Sequence, residues 1–319
     1  MHKCLSHISA VGCDDALAHE RFRESRKHRR RTDTRGCFLV TFSRNEVVAM
    51  LDGNGLAPRR AFGQNFVVDA NTVQKIARLA DVGSGDFVLE IGAGLGSLTL
   101  ALAETGASIV AVEIDNGLVE VLRANTKHLA NVEVIHADAL ELDWQPLLVK
   151  SRKWHVVANL PYNVATIIVA DLLDGMPAVE HMLVMVQSEV ADRLVARVGT
   201  EAYGAVSVKV DYWANSKIVA QVPPSVFFPQ PRVESALVEI RRRSQPAVAD
   251  VIAKELFALV RAGFAKRRKM LRRALVDIAT SDDFATADVN PESRAEQLDL
   301  AAWGRLRQAI DKRLVTQSS

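Results

Sequence analysis

The sequence predicts a doubly wound α/β domain followed by a small all-helical one. Three observations carry this. Between Phe87 and Gln187, short apolar runs alternate with amphipathic helical stretches. A glycine-rich segment, Glu90-Ile91-Gly92-Ala93-Gly94-Leu95-Gly96-Ser97, joins the first of those runs to its helix. Beyond Ser244-Gln245-Pro246 the periodicity is purely helical. Strands alternating with helices imply crossovers on both faces of a mostly parallel sheet.

Residues 1–42 show no apolar periodicity and are expected to be a basic, disordered extension. Residues 21–35 hold eight Arg or Lys against two acids. The apolar core of about 7–15 residues that a secretory signal needs is absent. Asp14, Asp15, Glu20 and Glu24 are foreign to an organelle transit peptide. The three cysteines, Cys4, Cys13 and Cys37, all fall in this stretch; their odd number speaks for a reducing, cytoplasmic compartment and against a disulfide framework. Cys4 with His7 and Cys13 with His19 match no zinc spacing, so no metal is expected.

Order should begin at Ser43-Arg44-Asn45-Glu46, a capping box opening a short helix that Gly53 and Gly55 end. A second helix is expected over Asn71–Leu79, with Val73, Ile76, Ala77 and Ala80 on one face. Then come a strand at Phe87–Ile91, a helix at Ser97–Glu104, a strand at Ser108–Ile114, a helix at Gly117–Lys127 and a strand at Val132–His136. Trp154–Asn159 reads as the fourth strand, Val164–Leu173 as a helix and His181–Gln187 as the fifth strand. Helical stretches follow around Glu189–Val198 and Tyr203–Ala214, and Lys217–Val222 with Ala236–Arg241 look like a closing pair of strands. These boundaries give an α/β domain over 43–245 and a helical domain over 246–319, where Leu256, Leu259, Val260, Phe264, Leu271, Leu275 and Ile278 set the apolar face. Arg261–Arg273 is helical by pattern.

Hydrophobic residues make up 49% of the 319 and charged residues 24%, an ordinary globular balance, and a net charge of +2 selects no partner. The distribution of charge is more telling: residues 261–273 carry seven cations and no acid. Such a run is usually a solvated face; its density and lack of acids make it a candidate for phosphate contacts. No apolar run approaches the roughly 20 residues that span a bilayer.

The glycine loop lets backbone approach a ligand closely. A dinucleotide loop would want G-x-G-x-x-G; here Ser97 takes the third glycine's place and Gly96 comes one residue early. An acid followed by G-x-G-x-G is closer to an S-adenosylmethionine loop. Glu113, ending the second strand, is placed to grip ribose hydroxyls, and Asp138, within His136-Ala137-Asp138-Ala139, to accept from an adenine amine. Each acid alone is equally well a helix cap or a solvated loop carboxylate; three on successive strand ends favour a site.

Asn159-Leu160-Pro161-Tyr162 follows the apolar run His155-Val156-Val157-Ala158. It sets an amide, a rigid turn and an aromatic ring at the carboxyl edge of the sheet, where open α/β sheets bind ligands. Taken singly, it also reads as a strand stop and a helix cap. In this company it suits methylation of a conjugated nitrogen, whether in DNA, RNA or a protein amide.

The substrate class comes from the set. Phe62-Gly63-Gln64-Asn65-Phe66, the glycine loop, Asn159–Tyr162, Phe227-Phe228-Pro229-Gln230-Pro231-Arg232-Val233-Glu234-Ser235 and Phe264-Ala265-Lys266-Arg267-Arg268-Lys269 stand in one order. Together they closely resemble the ribosomal RNA adenine dimethyltransferases, from about Asn45 to the C-terminus. The resemblance implies a Rossmann-like methyltransferase sheet, S-adenosylmethionine as cofactor, and dimethylation of the N6 amines of two adjacent adenines in a 3′-terminal hairpin of small-subunit ribosomal RNA. The implied partner is an immature 30S subunit met by a monomer, with neither membrane nor metal. Gln64, Asn65, Phe66, Glu90, Gly92, Gly94, Glu113, Asp138, Ala139 and Asn159 would hold the cofactor. Asn159 and the Leu160 carbonyl would bind the target amine, Tyr162 would stack on the base, and Phe227, with Phe228 as second candidate, would pack against it or its entry path. Because the Tyr162 ring is what matters in this reading, Tyr162→Phe is expected to be mild. Arg59, Arg60, Lys266, Arg267, Arg268, Lys269, Arg272 and Arg273 would contact RNA, with Arg241–Arg243 extending the basic surface. Met270 and Arg273 depart from the family pattern, where Thr and Asn are common. Two other readings share these motifs: a large-subunit enzyme conferring macrolide resistance, and an assembly factor in which methylation is secondary.

Overall fold

A computed structural model describes residues 41–144 and 153–318, with the Arg60 and Ser318 side chains excepted. The expected basic extension and all three cysteines lie outside the described residues. The first helix, Arg44–Gly53, opens on the Ser43 capping box, whose hydroxyl and Glu46 carboxylate satisfy each other's backbone N–H groups.

Nine strands follow among the described residues: β1 (Phe66–Val67), β2 (Phe87–Ile91), β3 (Ser108–Glu113), β4 (Val132–His136), β5 (Trp154–Asn159), β6 (Val179–Gln187), β7 (Ala214–Val222), β8 (Phe227–Phe228) and β9 (Ser235–Arg242). Seven form one sheet in the order β4-β3-β2-β5-β6-β9-β7. The first five are parallel; β9 runs antiparallel between β6 and β7. The chain winds outward from β2 through β3 to β4, then returns to lay β5 against β2. That reversal makes β2/β5 the switch point, where a crevice opens at the carboxyl ends of the strands.

Side-chain alternation splits the sheet's apolar residues between two layers. Leu89, Ile91, Val156 and Ala158 face the helix Ala165–Gly175, while Val88, Val157, Leu183 and Met185 face the helices Ala70–Ala80 and Ser97–Ala103. The short pair β1/β8, matching Phe66 to Phe228 and Val67 to Phe227, was not expected from sequence.

After the sheet come the helices Ala253–Ala265, Leu271–Ala274, Ser281–Thr286 and Leu300–Ser318, packed around the fully buried Trp303. A Cβ at Gly263 would lie 2.5 Å from that indole, so only glycine lets the two helices approach this closely. The core also takes in Tyr203, Val208 and Tyr212, from before the expected boundary at 245. The helix Ala205–Trp213 therefore has one face in this core and another, through Val210, in the core of the sheet.

The structure corrects one expectation here. Arg261–Arg273 is not a continuous helix: it stops at Ala265, and Lys266–Lys269 form a turn. The N–H groups of Leu271 and Arg272 bond the carbonyls of Ser293 and Pro291 rather than those one turn back. A tertiary partner has overridden helical periodicity. The cations thus collect just past a helix C-terminus, where the peptide dipoles favour positive charge.

Candidate active site

A cavity of about 270 Å³ opens at the switch point. Gln64, Asn65, Phe66, Glu90, Gly92, Gly94, Glu113, Asp138, Ala139 and Asn159 all line it. Its floor is the glycine loop after β2, where Gly92, Gly94 and Gly96 all have positive φ. At Gly94 a Cβ would sit 3.2 Å from the Phe66 ring, and at Gly92 it would touch Pro161 at 3.4 Å and the Asn159 carbonyl at 3.6 Å. Motifs far apart in sequence thus close on one another here: at Gly94 a side chain would press on the Phe66 ring, and at Gly92 the positive φ disfavours one.

Asn159 ends β5. Its Nδ2 donates to the Asn65 carbonyl (2.9 Å), which fixes the amide plane. Its Oδ1 is buried and has no partner. The Leu160 N–H is used by Met185 (3.1 Å) and its side chain lies in the core. No hydrogen bond reaches the Leu160 carbonyl among the described residues. Two acceptors thus stand uncommitted at consecutive positions.

The Phe62–Phe66 segment is strapped over this turn. Asn163 donates to the Ala61 carbonyl, and a Cβ at Gly63 would meet the Tyr162 nitrogen at 3.2 Å. At its other end Gln64 accepts from the Arg59 N–H (2.7 Å) and donates to Asp115 (3.1 Å), with Arg59 also paired to Asp115 at 3.4 Å. Asp115 therefore anchors the strap to the end of β3, a role that sequence reasoning missed.

The two buried acids differ from ordinary carboxyls. Glu90, 2% exposed, has its pKa pushed up to about 8 by burial, reinforced by Glu113 and opposed by the Thr99 hydroxyl; its Oε2 finds no partner. Glu113 is also raised, mainly by burial, although it accepts from the backbone N–H groups of Gly94 (2.8 Å), Ile114 and Asp115 (both 3.0 Å). Asp138 caps the following turn through Leu140 N–H (2.8 Å).

Two expected roles, those of Phe227 and of Arg241–Arg243, are not matched by position, whereas Tyr162 stands beside the cavity. Phe227 is fully buried with Val67, Val73 and Leu237 and does not reach the cavity, because β8 pairing turns its ring into the core. Tyr162 is half-buried outside the lining, its hydroxyl 2.7 Å from the Ser235 Oγ. Arg241–Arg243 is not a free basic surface: Arg241 pairs with Glu239, Arg243 with Asp211, and Arg242 caps the carbonyls of Leu172, Leu173, Met176 and Val179.

The remaining cations divide similarly. Arg59 belongs to the strap, Arg267 is tied to Glu296 and the Glu201 carbonyl, and Arg272 faces Glu292 at 3.5 Å. Lys266, Arg268, Lys269 and Arg273 are exposed and make no ion pair among the described residues. The Arg60 side chain lies outside the described residues. No group of three potential metal ligands and no helix long and apolar enough to cross a membrane is found among the described residues.

Comparison with known proteins gives the same picture from outside. Residues 55–312 match the family described as ribosomal RNA adenine dimethylase. The chain is 45% identical to the ribosomal RNA small subunit methyltransferase A of Kineococcus radiotolerans, over 83% of this chain and 90% of the relative. It is 44% identical to the protein of the same name from Cutibacterium acnes, over 81% and 91%. Among solved structures, a dimethyladenosine transferase from Plasmodium falciparum superposes with a TM-score of 0.66 at 23% identity, covering 77% of this chain and 97% of that one. The 23S rRNA methyltransferase ErmE superposes at 0.60 and 24% identity, covering 77% and 99%. At those identities the structures speak for the fold alone.

Proposed function

Because the chain belongs to the ribosomal RNA adenine dimethylase family, it is a ribosomal RNA adenine methyltransferase, and we propose that it dimethylates the N6 amines of two adjacent adenines in a 3′-terminal hairpin of small-subunit RNA, within an immature 30S subunit. The relatives at 44–45% identity carry the small-subunit name, which favours this reading over the large-subunit one.

The observation that carries the chemistry is Asn159. Its Nδ2 is spent on Asn65, so its buried Oδ1 is held as a directed, unused acceptor in the cavity wall. An adenine amine is a poor nucleophile because its lone pair is delocalised into the ring. Acceptors for its N–H groups, here Asn159 Oδ1 and the Leu160 carbonyl, favour the pyramidal, partly positive nitrogen that attacks. Hydrogen bonds to a group gaining charge contribute about 1.5–3 kcal/mol each, or roughly 10- to 100-fold in rate. Tyr162 supplies a ring for stacking, worth about 1–3 kcal/mol per base, which holds an adenine drawn out of its stack.

The cavity fits S-adenosylmethionine. Glycine at 94 leaves the space beside Phe66 that a Cβ would fill, and the unpartnered Glu90 oxygen and Glu113 set carboxyl groups along the wall. Gln64, Asn65 and the Gly92–Gly94 backbone would hold its methionine end, Glu113 its ribose and Asp138 its adenine. When bound, that cofactor supplies an electrophilic methyl group on a sulfonium. The protein's part is position and electrostatics, with no covalent intermediate.

The test is to incubate the protein with labelled S-adenosylmethionine and, separately, immature small and large ribosomal subunits, then map the labelled nucleoside. N6,N6-dimethyladenosine in the small subunit is the expected result. Label confined to the large subunit would move the assignment to the resistance enzymes, and label in protein or DNA would sink it.

A further inference from the structure

The Phe227–Ser235 motif enters the proposed site differently from what its aromatic residues suggest. Phe227 is enclosed in the core, but the last residue of the motif reaches the turn that carries Asn159 and Tyr162. Ser235 opens β9 and is held on both sides, by Gln187 of β6 and Val222 of β7. Its side chain is wholly buried, and among the described residues its only hydrogen-bonding contact is the Tyr162 hydroxyl at 2.7 Å. Tyr162 is thereby gripped at two points. Its backbone nitrogen lies so near Gly63 that a Cβ there would come within 3.2 Å, while the far end of its ring is hydrogen-bonded to the first residue of β9, between β6 and β7. A ring fixed at both ends cannot swing about its first side-chain torsion.

We propose that Ser235 is a positioning residue for methyl transfer, setting the orientation of the Tyr162 ring against the extruded adenine. This rests on the reading above that Tyr162 stacks on the target base. The motif thus contributes a hydroxyl to base recognition, and the hydroxyl of Tyr162 matters as well as its ring. Burial raises the phenol's pKa, so the contact stays neutral across the working range and no pH dependence arises from it.

Two variants remove the same bond from opposite ends: Ser235→Ala, inside the sheet, and Tyr162→Phe, which leaves β9 untouched. Each is expected to slow single-turnover methylation of immature small subunits about three- to tenfold, the span of one neutral hydrogen bond. S-adenosylmethionine affinity should stay unchanged, and the double variant should be no slower than the worse single one. A hairpin RNA with 2-aminopurine at the target position gives a readout apart from turnover. Its quenching by the wild type should weaken equally in both variants. Multiplied losses in the double variant, or wild-type rates and quenching in Tyr162→Phe, would overturn the role of Ser235 while leaving the activity standing. A wild-type protein that methylates small subunits without quenching the probe would remove the stacking premise, and this proposal with it.

Discussion

The two edges of the parallel sheet are built on opposite electrostatic terms. At the carboxyl edge, Gly92, Gly94 and Gly96 hold left-handed backbone, Asn159 Oδ1 and Glu90 Oε2 are buried without partners, and Glu90 titrates near 8. At the amino edge the same strands carry a closed ionic cluster. His155 and His181 meet at 3.3 Å, His181 faces Glu239 at 3.4 Å, and Glu239 is also gripped by Lys217 and Arg241 at 2.9 and 2.7 Å. There the burial of His181 draws its pKa down to about 4, and its cationic neighbours hold Glu239 near 2 despite burial. One edge leaves its acceptors turned toward a cavity; the other turns its charged groups on one another, although the buried His181 Nε2 and Trp154 Nε1 find no hydrogen-bond partner there. Function and stability are divided along 20 Å or so of strand, the span of about six residues.

The largest effect that would separate the edges is catalytic. Asn159→Ala should lower the single-turnover rate by about 100-fold or more, the scale set by removing a preorganised hydrogen-bonding partner. S-adenosylmethionine binding, measured by calorimetry, should stay close to wild type. Equal losses in both would place Asn159 with the cofactor and not with the amine.

The next effects concern stability and should have opposite slopes with pH. A carboxyl raised from 4.5 to about 8 in the folded protein contributes stability that is complete below pH 4.5 and lost as pH climbs toward 8. Denaturant unfolding should therefore show Glu90→Gln gaining on the wild type by about 3 kcal/mol between pH 4 and pH 7. His181 runs the other way. With a folded pKa near 4 against 6.5 unfolded, it favours the folded state above 6.5 and penalises it as pH falls toward 4. His181→Gln should gain on the wild type by about 2 kcal/mol between pH 7 and pH 5. Parallel slopes for the two variants would erase the distinction between the edges.

The smallest effect lies away from the sheet. Replacing Lys266, Arg268 and Lys269 by Ala should flatten the salt dependence of RNA binding by about 0.7–0.9 in log–log slope for each lost phosphate contact. Methylation at saturating RNA should be spared. Arg267→Ala should instead lower thermal stability with little change in slope, since its guanidinium is committed to Glu296 and Glu201.

The strands of the sheet were legible because β-branched runs bounded by glycine and polar residues leave little choice: Phe87–Ile91, Val132–His136 and Trp154–Asn159 fall where the sequence puts them. The Ser43 cap was legible for an equally local reason. What escaped was non-local. β1 and β8 are two residues each and exist only by pairing across the chain. The break after Ala265 depends on carbonyls of Pro291 and Ser293. At the site, the motifs named which residues gather, but a motif does not say which face a ring takes. Phe227 reads as a ligand-facing aromatic and is core, whereas Ser235, the last residue of its motif and given no role from sequence, touches Tyr162. The Arg241–Arg243 run looked like surface charge because sequence cannot show the helix end whose carbonyls Arg242 caps.

The helix Ala205–Trp213, buried on one face with Trp303 and on the other with the sheet, passes directly into β7 at Ala214. One helix thus joins the core that underlies the turn at Lys266–Lys269 to the sheet that carries Asn159, with no loop between helix and strand. On the proposed reading, in which that turn holds phosphates, the fold sets a distance between grip and crevice, and the geometry of the folded RNA, more than its base sequence, would decide which adenines qualify.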